Sequence, residues 1–354
     1  MRGKSGNQIE AMRKNPRRNP VGQLNPVSMM DVARLAGVSG MTVSRVMRAE
    51  KSVLPATAEL VNAAIAKLGY IPNVAAATLA HNRSRAIGVV VPTLAGAIFA
   101  DAVQGLTDVL GAAGYTVILG CDNYDAETHH SMVNSLVGRR VEGLVLHSSD
   151  QLPKTRQLLE RGHFPVLQIW ELARQPFDIT VGVNQREAGY ALTQHLIGPG
   201  CRDVAFVQER VHAYQLMFDR RTGYLAAIAE AGLQPRIELI DYVADMDGGV
   251  RLVRELAQAG RMPDGLFLHN DFSSAGALFE AQRLGLAVGT ALRLATFSYT
   301  SLPALTNPGI SSLSVDCREM GRISARALLT RLSGAKLPKP SVDLGFEIIR
   351  RGTS

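Results

Sequence analysis

Between residues 85 and 315, short apolar runs recur along the chain, and amphipathic stretches of helical period lie between most of them. The runs occupy 87–91, 116–119, 143–146, 166–169, 204–207, 238–242, 266–268, 294–297 and 311–315. The amphipathic stretches include 99–113, 127–138, 187–197, 221–231, 248–258 and 273–284. Continuous β-rich runs are what strands covered on both faces require, and their alternation with helices marks βα units and parallel sheets. Gly114, Gly232 and Gly285 stand where helix ends call for a left-handed cap. Roughly ten strands are too many for one compact sheet of usual size, so the pattern predicts two doubly wound subdomains.

Upstream of this body the texture is different. Residues 29–68 show a helical pattern in three short segments, stopped by Pro72. Within 29–47, Ala33 is small enough to let two helices approach. Gly37 follows four residues later, where a turn between helices needs a positive φ. Val43 lies six residues beyond that, and Val32, Ala36, Val38 and Val46 supply the other apolar positions. Small residue, glycine and aliphatic at these offsets predict a helix-turn-helix. Its second helix then presents Met41 and Arg45 on one face, suited to a thymine methyl and to guanine O6/N7. Ser39 is placed to cap that helix and offer its hydroxyl to a phosphate. Gly40 permits close approach, and Thr42, Ser44 and Arg48 are candidates for backbone phosphate contacts.

Charge agrees with this division. Residues 1–27 carry six Lys/Arg against one Glu, and residues 28–84 carry six against three acids, while the other 270 sum to −1 of the total +7. A basic head on a nearly neutral body suggests that only the head meets a polyanion. Residues 1–27 have scattered proline and asparagine and no apolar period, so they read as a disordered basic extension. No apolar run reaches membrane-spanning length, and no hydrophobic stretch resembles a secretory signal, which points to a cytoplasmic protein. Cys121, Cys201 and Cys317 are few, odd in number and far apart, and fit neither a disulfide framework nor a metal-ligand spacing.

These strings resemble the lac-repressor family of bacterial transcription factors: Asp31-Val-Ala through Gly37-Val-Ser, Thr42-Val-Ser-Arg45 and Gly69-Tyr-Ile-Pro-Asn73. The likeness continues through Gly182-Val-Asn-Gln, Arg221-Thr-Gly-Tyr and Asn270-Asp271, covering nearly everything after residue 28. It implies an all-α helix-turn-helix domain at 28–72, a hinge helix and linker at 73–84, and an α/β core at 85–354 of two doubly wound, periplasmic-binding-protein-like subdomains. The first would comprise about 85–183 and 316–341, the second about 184–315 and 342–354. In the hinge, Leu79 matches the family's minor-groove wedge and Ala75 flanks the same groove. Arg220 matches an effector-binding arginine, Asn270 a polar contact at a strand end, and Phe99 and Trp170 the walls of the cleft. Ser298 stands where many relatives place a sugar-binding aspartate, a departure that favours an anionic ligand. His147, with Ser148 and Ser149, ends a predicted strand near the same place.

The nearest resemblance within the family is to gluconate-operon repressors, through Met41-Thr-Val-Ser-Arg45, Arg85-Ala-Ile-Gly, Phe279-Glu-Ala-Gln-Arg-Leu-Gly-Leu286 and Asp343-Leu-Gly-Phe346. It implies a repressor that binds double-stranded operator DNA as a homodimer and answers to a sugar acid such as gluconate or 2-ketogluconate, without a cofactor. Response to a neutral sugar or to a co-repressor is the alternative, and a sugar-binding protein with no regulatory role a further one. An enzyme is disfavoured, because no G-x-G-x-x-G follows the first strand and neither a P-loop nor a nucleophile elbow appears. Asp245-Met-Asp-Gly248 lacks the ligands of a calcium loop and reads as a helix cap. His129-His130 has no partner at ligand spacing and reads as a solvated helix face.

Overall fold

The computed structural model describes residues 27 to 354 apart from 49, 51, 72–82, 95–96, 148–150, 174, 199 and 211–214. The hinge segment with Ala75 and Leu79, residues 1–26, and Ser148 and Ser149 lie outside the described residues. The chain divides into two compact units, Met1–Asn82 and Arg83–Ser354.

In the first unit, α1 (Met29–Ala36), α2 (Gly40–Met47) and α3 (Pro55–Leu68) pack around Val32, Ala33, Val43, Val61 and Ala64. So small a core leans on local devices at the helix ends. Ser28 and Asp31 close a reciprocal capping box, with Ser28 N donating to Asp31 Oδ2 at 2.9 Å and Asp31 N to Ser28 Oγ at 3.3 Å. Gly37 then adopts φ 68°, ending α1 in the left-handed turn that its sequence position predicts.

The second unit contains two six-stranded sheets. The first uses β1 (Ala86–Val91), β2 (Thr116–Cys121), β3 (Gly143–Leu146), β4 (Val166–Glu171), β5 (Ile179–Val183) and β11 (Ser341–Asp343), in the order β11-β5-β4-β3-β1-β2. The second uses β6 (Val204–Glu209), β7 (Arg236–Ile240), β8 (Gly265–Leu268), β9 (Arg293–Ser298), β10 (Ser311–Ser314) and β12 (Glu347–Ile349), in the order β12-β10-β9-β8-β6-β7. Every pairing is parallel except that of β12 with β10. Among the inner strands β1, β3 and β8 are wholly apolar, as burial on both faces favours, and β1 is buried at all its positions.

The chain passes between the lobes three times: at Asn184, at 315–316 and at 344–346. Because β11 lies in the first sheet, the boundary expected at 341/342 moves to the stretch after Asp343. Three strands and three helices escape the sequence pattern: β5, β11, β12, α6 (Pro153–Arg161), α11 (Leu302–Leu305) and α12 (Cys317–Leu332).

Helices cover these sheets in pairs that cross at reciprocal glycines. Where α4 (Ala97–Ala112) meets α12, a Cβ on Gly105 would lie 2.1 Å from Arg318 O, and one on Gly321 would lie 2.1 Å from Ala102 O. Gly189 of α7 (Gln185–Ile197) and Gly223 of α8 (Gln215–Glu230) repeat the device, 2.2 Å from Arg220 O and 2.0 Å from Arg186 O. So do Gly249 of α9 (Met246–Gln258) and Gly276 of α10 (Asp271–Arg283). No side chain fits between backbones this close. Gly321→Ala should therefore lower the unfolding free energy by about 1–3 kcal/mol in urea titration. Gly111→Ala, on α4 with nothing within 4 Å of the added carbon, should instead leave stability unchanged or raise it by up to about 1 kcal/mol.

Candidate functional site

The burial pattern of α2 sorts its residues by role. Val43 is completely buried and Val46 packs beside it, while Met41 is 65% exposed and Arg45 and Arg48 also face solvent. Met41 and Arg45 thus share one open face, and Ser44 and Arg48 flank it. Ser39 caps the helix: its Oγ accepts from Thr42 N at 3.2 Å and lies 2.9 Å from Thr42 Oγ1. The two hydroxyls therefore already serve each other. A Cβ on Gly40 would lie 3.1 Å from Met30 Sδ, so this glycine also answers to packing against α1. Glu50 sits between the arginines, 3.0 Å from Arg48 Nη2 and 3.8 Å from Arg45 Nε. This is a solvent-facing polar helix with two cations held by a single exchangeable carboxylate.

In the second unit, a cleft of about 300 Å³ opens at the carboxyl ends of the parallel strands, where doubly wound sheets present their ligands. Phe99, His147, Trp170, Arg220 and Asn270 all line it. Trp170 has φ 80°, a strained conformation for a bulky residue, and its indole meets the Phe99 ring edge-on at 5.0 Å. Gly182 makes room for it, since a Cβ there would lie 2.5 Å from the Trp170 carbonyl carbon. Asn270 is committed to structure: Oδ1 accepts from Ser273 N at 2.8 Å to cap α10, and Nδ2 donates to Ala244 O at 2.6 Å. Asp245, read from sequence as a cap, does cap α9, through Gly248 N at 2.8 Å.

Ser298 is a correction. It does not line the cleft; it is buried at the end of β9 and its hydroxyl donates to Thr300 O at 3.0 Å. The next residue, Tyr299, lines the cleft instead.

Arg220 is 3% exposed. Its Nε donates to Gln185 Oε1 at 2.7 Å, Nη1 to His269 O at 3.4 Å, and Nη2 to the Tyr299 hydroxyl. The guanidinium lies 3.6 Å above the Phe297 ring. All these partners are neutral, and burial pushes the guanidinium down from its usual range while Tyr299 works against that. Carboxylates line the same cleft at Glu171, Glu209, Asp245 and Asp271. Burial raises the Asp271 carboxyl, opposed by the hydrogen bond that Tyr299 N donates to Oδ2 at 3.0 Å. Among the described residues the cleft thus combines a buried cation that has neutral hydrogen-bond partners with four carboxylates.

His129 corrects the sequence reading. It is buried, not solvated, and its Nδ1 lies 2.7 Å from Asp122 Oδ2, with His147 Nε2 2.6 Å from the same oxygen. Asp122 follows β2, His147 follows β3, and His129 lies in the first turn of α5 (Ala126–Gly138). Only the sheet order, which sets β2 and β3 on either side of β1, brings them together. Gln185 was also missed. Its Nε2 donates to Trp170 O at 2.9 Å while its Oε1 holds Arg220, so one amide spans from the first lobe to the second.

A helix-turn-helix unit joined to a two-lobed core with a ligand-sized cleft defines a ligand-responsive regulator. The profile of bacterial regulatory proteins of the lacI family matches residues 28–73, and that of a periplasmic binding protein-like domain matches residues 193–354. The HTH-type transcriptional regulator GntR of Escherichia coli K12 is 32% identical over 325 residues, 92% of this chain and 98% of its own. A LacI-family transcriptional regulator from Silicibacter pomeroyi superposes with TM-score 0.85 at 25% identity, covering 93% of this chain and 99% of that one. The lac repressor dimer bound to operator and the anti-inducer ONPF superposes with TM-score 0.81 at 25% identity, over 93% and 99%. The chain belongs to the lacI family of bacterial transcription regulators, proteins that bind DNA and are not enzymes. No described helix is long and apolar enough to cross a membrane.

Removing the Gln185 amide leaves a buried carbonyl and a buried guanidinium N–H unpaired, each worth about 1–3 kcal/mol. Gln185→Ala should therefore be destabilised in urea by at least that amount. Gln185→Glu, which keeps an acceptor for Arg220 but loses the donor to Trp170 O, should fall between the two. Trp170 is the only tryptophan, so its emission reports directly whether the cleft wall has moved.

Proposed function

We propose that this regulator represses a sugar-acid utilisation operon and is released from its operator by a small polyhydroxylated carboxylate such as gluconate or 2-ketogluconate. The observation that carries this is Arg220, a buried cation whose hydrogen-bond partners are all neutral. A carboxylate placed against it gains a charge-assisted contact where water is largely excluded. The surrounding Glu171, Glu209, Asp245 and Asp271 suit the hydroxyls of the same ligand. Phe99 and Trp170 supply the apolar face for its carbon chain. These acidic groups are also what a neutral sugar would use, and response to a neutral sugar is the second reading.

The GntR relative and the operator-bound dimer of the lac repressor support the rest of the reading. The head covers one half-site, so the chain acts as a homodimer on a palindromic operator. Arg45 and Met41 read base edges, and Ser39, Gly40, Thr42, Ser44 and Arg48 approach the phosphates. The segment 73–84 serves as the hinge, with Leu79 as its wedge and Ala75 beside it. Effector bound between the lobes shifts their closure, and operator affinity falls by the difference in effector affinity between the two states.

The test is a gel-shift series on a palindromic operator with gluconate, 2-ketogluconate and 6-phosphogluconate. At least one should release the wild-type protein. Arg220→Met should still bind operator but lose about 2–5 kcal/mol of effector affinity, read as a shift in the releasing concentration. Release by a neutral sugar alone would overturn the sugar-acid reading and leave DNA binding standing. In the same assay Arg45→Ala should cost about 1–3 kcal/mol and relax specificity at a single base position. Equal weakening on every sequence would make Arg45 a phosphate contact instead.

A further inference from the structure

Asp122, His129 and His147 converge at the carboxyl edge of the first sheet, and the sugar-acid reading uses only one of them. Each offers a ligand atom, two imidazole nitrogens and a carboxylate oxygen, all within 4.8 Å of one another. All three residues are buried. Asp122 Oδ1 is fixed by the Tyr124 backbone N–H at 2.9 Å, which leaves Oδ2 facing both rings. Burial alone would raise the Asp122 carboxyl, but the two histidines outweigh it and hold the group well below the usual carboxylate range. His129 Nε2 is buried with no hydrogen-bond partner. A neutral imidazole is the form that coordinates a metal.

We propose that Asp122, His129 and His147 form a site for a divalent transition metal, zinc above all, whose open coordination position faces the effector cleft. Two nitrogens and one carboxylate oxygen are a donor set that suits zinc, and three protein ligands with one open position describe its exchangeable sites. Tetrahedral bonds of about 2.0–2.1 Å place ligand atoms roughly 3.3 Å apart. Each ring therefore has to draw back from Asp122 by well under 1 Å from its present contact. His147 lines the cleft, so the fourth position is reached from the ligand side. With neutral histidines, the bound ion leaves a net positive charge at that wall and attracts an anion. This last step rests on the sugar-acid reading; binding of the ion does not.

The experiment uses full-length protein without a histidine tag, stripped with EDTA and titrated with zinc chloride by calorimetry. The cobalt(II) visible spectrum serves as a second measure. Wild type and His130→Ala should each bind one ion per chain. His130 is a fair control because it bonds to Thr155 Oγ1 at 3.0 Å, away from the cluster. His129→Ala and Asp122→Asn should lose more than the roughly 10–100-fold that outer-shell changes cost. Wild type should also show the intense cobalt bands of a tetrahedral nitrogen and oxygen site, a result that does not depend on any variant folding. Equal binding by wild type and both variants, or no binding by wild type, overturns the site. If the ion binds but gluconate releases operator equally with and without it, the metal site stands and its link to the effector fails.

Discussion

Arg220 carries a positive charge into the protein interior with only dipoles to meet it, and much of the second unit is arranged around that fact. A buried ion without a counter-ion costs several kcal/mol unless polar groups surround it. Here a glutamine oxygen, a backbone carbonyl, a phenol and the face of Phe297 share the task. The Gly189 and Gly223 crossing locks the backbone of α8 against α7, and Arg220 O is itself the atom that Gly189 accommodates. The guanidinium is thus held in place by the fold itself.

The same arrangement explains how a cleft ligand can be felt across both lobes. Gln185 is the first residue of α7, immediately after the chain leaves the first lobe at Asn184. Its amide holds Arg220 of the second lobe with one end and the carbonyl of Trp170 in the first with the other. Trp170 is strained at φ 80° and gripped by Gly182, so its peptide has little freedom to follow. A ligand that shifts Arg220 must therefore strain or break this link.

Much of this was legible in the residues because it rests on period and punctuation. The inner strands β1, β3, β6 and β8 announce themselves as continuous apolar runs, and Gly37 and Gly114 mark turns whose φ values are 68° and 78°. What escaped has a physical reason in each case. β5 is only Ile179-Thr-Val-Gly-Val183, broken by polar and glycine positions that serve Glu171 and Trp170. β11 and β12 are three residues each, below the length at which alternation can be read. Ser298 was assigned to the wall by its match to a family position, and side-chain direction at a strand end is not in the alignment. His129 looked solvated beside His130 because its partners lie seven and eighteen residues away on other elements. Sheet order, not spacing, makes that cluster.

The head obeys a different economy. Its core is five small or medium residues, so helix caps and glycine turns must do what bulk cannot. Charge is likewise provided for locally. Glu50 neutralises part of Arg45 and Arg48 in the free protein, with contacts that are half exposed and therefore cheap to give up. On DNA the exchange is between one weakly held carboxylate and a line of phosphates whose counter-ions are released to solution. The free head is thus spared strong self-repulsion between Arg45 and Arg48.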